Sequence, residues 1–307
     1  VGNPKQERPS AFFYRKDAST INGEFLSWLD DRDSSETRHP FFVFLNYYDA
    51  HDPYMPPGGF QGRFGMKPPT PAELSLLHQW HELESKPKTP EQVQLAIDAY
   101  DECIASLDDQ LGELFENLEK RRLIENTLVI VTADHGEEFG EHGGFGHGNL
   151  FPPVTRVPLL IVPPGGLKEP RHVAEPTSIR NIAGTILDVL HLDADSEFPG
   201  TSLARFWSDQ PSPGSLGDEV VLTEIVDNIK KDQHGSKFAR SLIVDGKAYL
   251  KHRDDREQLF DLATDPAQTR DLSANPESAP VLARFREILA GYRQSDDDTS
   301  ANRSAID

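Results

Sequence analysis

The sequence predicts an α/β protein with a mostly parallel sheet flanked by helices, followed by a small C-terminal antiparallel α+β subdomain. Short, continuous apolar runs at 128–131, 41–45 and 159–162 are typical of strands buried on both faces. A long amphipathic segment at 89–120 precedes the central run, as the crossover helix of a βαβ unit does. Beyond residue 208 the apolar runs are short or alternating, which favours antiparallel strands.

The N-terminal part of the chain predicts one helix and one long connection. In the segment 21–30, Phe25 and Leu29 share a helical face with other apolar residues. Residues 52–90 are rich in proline and glycine, and long loops in compact domains are often functional. Tyr54, in this loop, either lines the entrance of a site or packs locally.

The segment 89–120 predicts the longest helix. Thr89 and Pro90 form a typical N-cap and first-turn pair. Apolar residues then recur at spacings of three and four, which defines a buried stripe. Cys103 neighbours this stripe, so we predict a buried and inert thiol. It is the only cysteine, and no intrachain disulfide can form.

The C-terminal part predicts a helix at 178–192 and then a change of character. A linker-like run near 208 divides the chain into a domain at 1–207 and a subdomain at 208–294. Asp245-Gly246 predicts the turn of a hairpin within a small antiparallel sheet. A closing helix is predicted at 280–292, and the polar tail at 295–307 is predicted to be disordered.

Charge and hydropathy limit the partners of the chain. The formal net charge of −20 over 307 residues argues against nucleic acid or an anionic membrane as the main partner. No apolar run approaches the roughly 20 residues that cross a bilayer. A bound cation would reverse the sign locally, so an anionic small molecule remains a candidate ligand.

Polar residues follow the central apolar run directly and predict a metal site. Asp134 and His135 lie where the strand should end, and Gly136 lets the backbone turn so that both can face one point. The glycine-rich loop that follows carries His142 and His147. Carboxylate oxygen and neutral imidazole nitrogen are ligands of divalent cations. The alternative is a solvated loop with polar histidines.

The segment TADHGEEFGEHG, followed by FGHGNLFPPVTRVPLLIVPPG, resembles the metal-binding segment of sulfatases in the alkaline phosphatase superfamily. The resemblance implies an alkaline-phosphatase-like fold, hydrolysis of sulfate esters, and Asp134 and His135 as ligands of one divalent ion, Ca²⁺ or Mn²⁺, with Zn²⁺ as an alternative. Many sulfatases have Asn in place of His135 and a catalytic Lys near the position of His147. Histidine at both positions resembles the branch of phosphodiesterases and phosphonate monoester hydrolases. Arg156 is expected to steady the acidic loop rather than to act in catalysis.

The second apolar run ends in a further candidate site residue. His51 stands in His-Asp-Pro-Tyr and matches the His-x-Pro segment of the family. The resemblance implies that His51 contacts the ester oxygens or protonates the leaving group, and that His147 also acts on the ester. Imidazole suits this role because its pKa lies near working pH. Alternatively, His51 caps a proline-rich loop.

The family's nucleophile motif, Cys/Ser-x-Pro-x-Arg, does not occur in this sequence. Cys103 lies in Asp-Glu-Cys-Ile-Ala-Ser, without the proline or the arginine. We therefore expect the chain to lack the N-terminal part of a family member and to be inactive by itself.

The expected substrate is a small-molecule or carbohydrate sulfate or phosphate ester, and the resemblance implies a periplasmic or extracellular location. The rival hypotheses are a phospho-group transferase of the same superfamily and an inactive sulfatase-like protein that only binds its ligand.

Overall fold

A computed structural model describes residues 15–33, 39–57, 59–64, 67–83, 86–192, 200–208, 220–226 and 238–303, with side chains as far as residue 292 except at 226 and 238. The chain forms two compact units, Val1–Asn126 and Thr127–Asp307. The predicted domain boundary at 207/208 adjoins residues 209–219, which lie outside the described residues, and it stays a prediction.

The first unit contains the two helices that the sequence predicts, α1 at Ala18–Asp33 and α3 at Pro90–Lys120. A shorter helix between them, α2, spans Pro71–His78. The N-cap of α3 is Thr89, whose side chain accepts a hydrogen bond from the backbone of Gln92, as the sequence predicts. Helices α1 and α3 share an apolar cluster whose buried members are Phe25, Leu29, Leu114 and Leu118.

The predicted strand at 41–45 is wrong, because these residues form no strand among the described residues. Phe41 and Leu45 pack against the cluster of α1 and α3, but Phe42 and Phe44 are 77% and 79% exposed. A continuous apolar run becomes a doubly buried strand only when a sheet and a second layer surround it. Here the helices cover one side only.

Cys103 is buried in α3, as predicted. Burial raises the pKa of its thiol to about 12, so the reactive thiolate is not formed at ordinary pH.

The second unit begins with a pair of strands that enclose the candidate metal loop. Strand β1 spans Val129–Thr132 and pairs with β4, Leu159–Val162. Both strands are predicted, but they pair antiparallel, and no strand pair among the described residues is parallel. The segment between them turns back through the hairpin of β2, Glu138–Phe139, and β3, Phe145–Gly146, and through the four-residue helix α4, Pro152–Thr155. It therefore lacks the long crossover helix that a parallel pair requires.

A four-stranded antiparallel sheet forms the C-terminal part, as predicted. Its strands are β5, Val221–Val226, β6, Phe238–Val244, β7, Lys247–Lys251, and β8, Glu257–Asp261, in that order. The tight turn between β6 and β7 contains Asp245 and Gly246, both with positive φ.

The two faces of this sheet have different partners, because side chains alternate along a strand. On one face, Ala248, Leu250 and Phe260 pack with Leu150, which follows the candidate metal loop. On the other face, apolar residues of the sheet pack against the C-terminal helix, the buried members of this cluster being Leu242, Val244, Tyr249, Leu259, Leu282, Phe285 and Leu289. The sheet therefore packs against the segment that follows the candidate metal loop.

Two further helices complete the second unit. Helix α5 spans Asn181–Val189, within the predicted 178–192. Helix α6 spans Ala279–Arg303, so the closing helix is confirmed. This helix continues over the polar segment as far as Arg303, residues 304–307 lie outside the described residues, and the disorder predicted for 295–307 stays a prediction. No helix within the described ranges combines the length and apolarity that a membrane crossing requires.

The salt bridge between Glu257 and Arg286 gives the second unit a pH-dependent stability. The hydrogen-bonded guanidinium of Arg286 lowers the pKa of Glu257 from 4.5 to about 2. A lowered folded-state pKa stabilises the fold above pH 4.5, and this stabilisation is lost as the pH falls towards 2. We predict that Glu257→Gln lowers the free energy of unfolding at neutral pH, and that its difference from wild type shrinks between pH 4.5 and 2.

Urea denaturation at several pH values measures this difference. Glu287→Gln is the control, because Glu287 is exposed on α6, the helix that carries Arg286. A difference that stays constant down to pH 2 would contradict the prediction.

Candidate metal site and active-site histidines

Asp134 and His135 lie just beyond the end of β1, as the sequence predicts. The side chain of Asp134 is 90% exposed, and its Oδ1 accepts a hydrogen bond of 3.1 Å from the amide of His135. The same oxygen lies 3.9 Å from Nε2 of His135. A carboxylate oxygen and an imidazole nitrogen therefore face each other at the carboxyl end of a strand.

The tautomer of His135 follows from its second ring nitrogen. Nδ1 lies 3.0 Å from the carbonyl oxygen of Gly136. Because a carbonyl oxygen only accepts hydrogen bonds, Nδ1 must carry the proton. In the neutral ring Nε2 then keeps its lone pair on the side of Asp134. This is the arrangement that metal-binding histidines use.

Gly136 is required by a close backbone approach. Its amide donates to the carbonyl of Val154 at 2.7 Å. A Cβ at this position would lie 2.2 Å from the carbonyl oxygen of Pro153, which no side chain can tolerate. Because residue 136 is a glycine, the backbone that follows β1 can pack directly against the backbone of α4.

The hairpin of β2 and β3 brings His147 back to His135. Glu138 pairs with Gly146 in this hairpin, which places His147 next to the end of β3. The two imidazole rings stack with centroids 4.1 Å apart and an interplanar angle of 22°. Of the two loop histidines in the prediction, His147 joins His135.

Glu137 is a buried carboxylate beside these two rings. Its Oε1 lies 3.2 Å from Nδ1 of His147. Its Oε2 is buried and has no hydrogen-bond partner among the described residues. Burying a carboxylate oxygen without a partner is costly, and a cation would remove that cost. Carboxylate oxygens and imidazole nitrogens are donor types that divalent ions take, so Glu137, Asp134 and His135 each fit such an ion by their chemistry.

His142 and Arg156, the other candidates of this segment, do not join the stacked histidines. The ring of His142 stacks on Phe151 at 3.9 Å, and its Nε2 lies 2.9 Å from the carbonyl oxygen of Ala267. Arg156 is exposed at the end of α4. Its guanidinium makes no hydrogen bond to any residue in the described part of the chain, so the predicted bond to the acidic loop is not observed there.

In the first unit, His51 lies in a loop that Arg15 holds in place. The guanidinium of Arg15 donates to the carbonyl oxygens of His51, Asp52 and Pro53 at 2.8–3.1 Å. The ring of Tyr48 lies 5.3 Å from that of His51. Nδ1 of His51 lies 2.8 Å from Oδ1 of Asp52, whose side chain is almost fully buried. The same Nδ1 lies 2.9 Å from the carbonyl oxygen of Asp52, which is its hydrogen-bond partner. The backbone and the carboxylate of Asp52 therefore both face this nitrogen.

Tyr54 is fully buried in the first unit and packs locally, which was one of the two expectations for it. Its ring lies 5.4 Å from that of Tyr100 and 6.4 Å from that of Trp80. It therefore does not line an open entrance.

Sequence reasoning missed the two carboxylates that lie beside Nδ1 of the candidate histidines His51 and His147. Asp52 directly follows His51, and Glu137 comes two residues after His135. Both are acidic residues close to a predicted site residue, and this proximity was the available signal. It is weak, because most acidic residues in loops are solvated, whereas these two are buried.

Comparison with known proteins identifies the family. A family model described as Sulfatase matches residues 8–192, more than half of the chain. The chain belongs to the sulfatase family. The matched range includes His51, Asp134, His135 and His147.

Curated relatives of this sulfatase-family chain include named sulfatases. The choline-sulfatase of Rhizobium meliloti is 27% identical over 299 residues, which cover 91% of this chain and 56% of the relative. The arylsulfatase of Clostridium perfringens is 25% identical over 295 residues, which cover 88% and 56%. The chain thus spans about half the length of the curated relatives it matches.

Solved structures establish the fold as alkaline-phosphatase-like α/β, as predicted. The phosphonate monoester hydrolase of Agrobacterium radiobacter has a TM-score of 0.69 at 24% identity, covering 91% of this chain and 60% of that one. A protein solved with its substrate D-glucosamine-2-N,6-O-disulfate has a TM-score of 0.64 at 15% identity, covering 92% and 70%.

The approach of Gly136 to α4 makes a testable prediction about stability. Gly136→Ala places a methyl group 2.2 Å from the carbonyl oxygen of Pro153, so the backbone must move. We expect a loss of about 1–3 kcal/mol in the free energy of unfolding, the usual cost of overpacking. Urea denaturation measures it.

Gly148→Ala is the matched control, because a Cβ at Gly148 has no atom within 4 Å. Both substitutions change the unfolded chain equally. Equal stabilities of the two variants would contradict the close approach.

Proposed function

We propose that this protein is a metal-dependent hydrolase of sulfate esters. Membership of the sulfatase family supports the reaction class. The observation that carries the proposal is the pair of Asp134 and His135 beyond β1, with the Nε2 lone pair of His135 directed to the carboxylate side.

Asp134 and His135 would hold a divalent cation, and Glu137 offers a buried carboxylate oxygen next to His147. The exposed side chain of Asp134 can turn towards the ion, whereas the ring of His135 is already oriented by Gly136. When bound, the cation supplies Lewis acidity and positive charge for an anionic ester. The preference of hard divalent ions for oxygen ligands favours Ca²⁺ or Mn²⁺ at a site with these carboxylates.

His147 would stabilise the charge that develops on the ester oxygens. Its Nδ1 faces the carboxylate of Glu137, which orients the ring and leaves Nε2 for the substrate. A preorganised donor of this kind acts where charge develops in the transition state.

His51 would protonate the leaving alcohol or contact the ester oxygens. Asp52 would orient its ring, because its carbonyl oxygen and its Oδ1 lie 2.9 and 2.8 Å from Nδ1. The second candidate role of His51 is to cap this loop, because its Nδ1 lies 2.9 Å from the carbonyl oxygen of Asp52.

The alcohol portion of the substrate is proposed to be a small molecule or a sugar. One relative is named a choline-sulfatase, and one structural neighbour was solved with a disulfated glucosamine. Phosphonate or phosphate esters are the second candidate substrates. Histidine at both 135 and 147 favours them, and so does a 24%-identical relative named a multifunctional alkaline phosphatase superfamily protein.

The metal site is tested by calorimetric titration with Mn²⁺, Ca²⁺ and Zn²⁺. We expect one ion per chain, and we expect Asp134→Ala and His135→Ala each to weaken binding more than roughly 100-fold, beyond the loss typical of outer-shell partners. His172→Ala is the control, because His172 is exposed in the same unit. Unchanged affinity in both ligand variants would contradict the assignment.

The role of His51 is tested by changing the leaving group. The assay uses the full-length protein and compares p-nitrophenyl sulfate with an alkyl sulfate. If His51 protonates the leaving group, His51→Ala should lower kcat for the alkyl sulfate by about 10²–10⁴-fold. The loss should be much smaller for p-nitrophenyl sulfate, because p-nitrophenolate leaves without protonation.

His78→Ala is the control, since His78 is exposed in the same unit. Equal losses on the two esters would contradict leaving-group protonation. Turnover of p-nitrophenyl phosphonates that exceeds that of the sulfate would favour the second candidate.

A further inference from the structure

Glu138, which follows Glu137, is a second buried carboxylate with a different environment. Its side chain is 0% exposed. Among the described residues, no lysine or arginine forms an ion pair with it. A buried carboxylate without a cationic partner must be stabilised by hydrogen bonds, otherwise burial costs several kcal/mol. Its hydrogen-bond partners therefore show what this carboxylate holds in place.

All partners of Glu138 lie in the glycine-rich loop between β2 and α4. Oε1 accepts a hydrogen bond from the amide of His142 and lies 3.3 Å from its Nδ1. Oε2 accepts a hydrogen bond from the side-chain amide of Asn149. A Cβ on Gly144 would lie 2.9 Å from Oε2, so the backbone there also packs against the carboxylate. One carboxylate thus binds His142, which precedes β3, and Asn149, which follows it.

His142 and Asn149, the two residues that hydrogen-bond to Glu138, each have a second contact. Oδ1 of Asn149 accepts a hydrogen bond of 2.9 Å from the amide of Phe151, at the start of α4. His142 is held through its Nε2 by the carbonyl of Ala267 and through its ring by Phe151. The loop is therefore closed around Glu138 and attached to the rest of the second unit.

We infer that Glu138 is a positioning residue that closes the loop so that His147 stacks on His135. Glu138 is the first residue of β2 and pairs with Gly146, and Glu137 lies just before that strand. The carboxylate of Glu137 contacts His147, whereas that of Glu138 binds the loop. The inference deepens the proposed function, on which its metal readout rests.

Exchanging the polarity of the contact tests this role. In Glu138→Gln, the side chain keeps one acceptor oxygen and loses the hydrogen bond from either the amide of His142 or the NH₂ of Asn149, which cannot turn over because its Oδ1 accepts from Phe151. In Asn149→Asp, two carboxylates would face each other. In the double variant, the introduced glutamine can donate to the introduced aspartate and still accept from the amide of His142. The contact is then restored at the same net charge.

Metal affinity is the first readout, measured on the full chain by titration with Mn²⁺. We expect each single variant to bind roughly 10–100-fold more weakly, as for outer-shell partners of metal sites, and the double variant to regain most of the loss. Glu169→Gln is the control, because Glu169 is exposed in the same unit. Its affinity should equal that of wild type.

Hydrogen exchange of residues 140–149 without metal is the second readout, and it does not depend on the proposed function. We expect faster exchange in each single variant and recovery in the double variant. Wild-type affinity and wild-type exchange in both single variants would overturn the inference, as would a double variant that recovers neither. If the wild type binds no metal while the exchange pattern holds, the proposed function fails and the positioning role of Glu138 stands.

Discussion

The hydrogen bond between the amide of Gly136 and the carbonyl of Val154 joins the two ends of the segment between β1 and β4. It forms only because residue 136 has no side chain, since a Cβ would collide with Pro153. Closing the segment at this point leaves Asp134 and His135 at the open end of β1. It also lets the carbonyl of Gly136 set the tautomer of His135.

The same physical arrangement recurs at each candidate catalytic imidazole. A buried or nearly buried carboxylate faces Nδ1, Asp52 in the case of His51 and Glu137 in the case of His147. An acceptor at Nδ1 keeps the proton there and directs Nε2 away from the protein. Each unit supplies one such pair from its own residues, and each pair depends on a loop anchored by its own unit. Arg15 anchors the loop of His51, and Glu138 anchors that of His147.

Local signals in the sequence predict the elements that depend on local physics. Thr89 and Pro90 start α3 where their capping chemistry requires, and Asp245-Gly246 makes the turn that its backbone preferences favour. Asp134 and His135 follow β1 because a β-branched apolar run ends there. The same local reading fails for 41–45, since an apolar run indicates a tendency to be buried but not which layers cover it.

Features that depend on distant contacts could not be read from the sequence. The antiparallel pairing of β1 with β4 depends on how residues 133–158 turn back, which no single residue indicates. The roles of Glu137 and Glu138 depend on burial, and acidic residues are seldom buried unless they have partners. His142 looked equivalent to His147 in sequence, but contacts with Phe151 and Ala267 give it a structural role.

The central proposal is that Asp134 and His135 coordinate a divalent cation beyond the end of β1. Anomalous diffraction from crystals grown with Mn²⁺ tests it most directly, with a matched data set from Asp134→Ala. The account predicts one strong anomalous peak in contact with the carboxylate of Asp134 and Nε2 of His135, and its loss in the variant. A peak elsewhere, or the same peak in the variant, would contradict it.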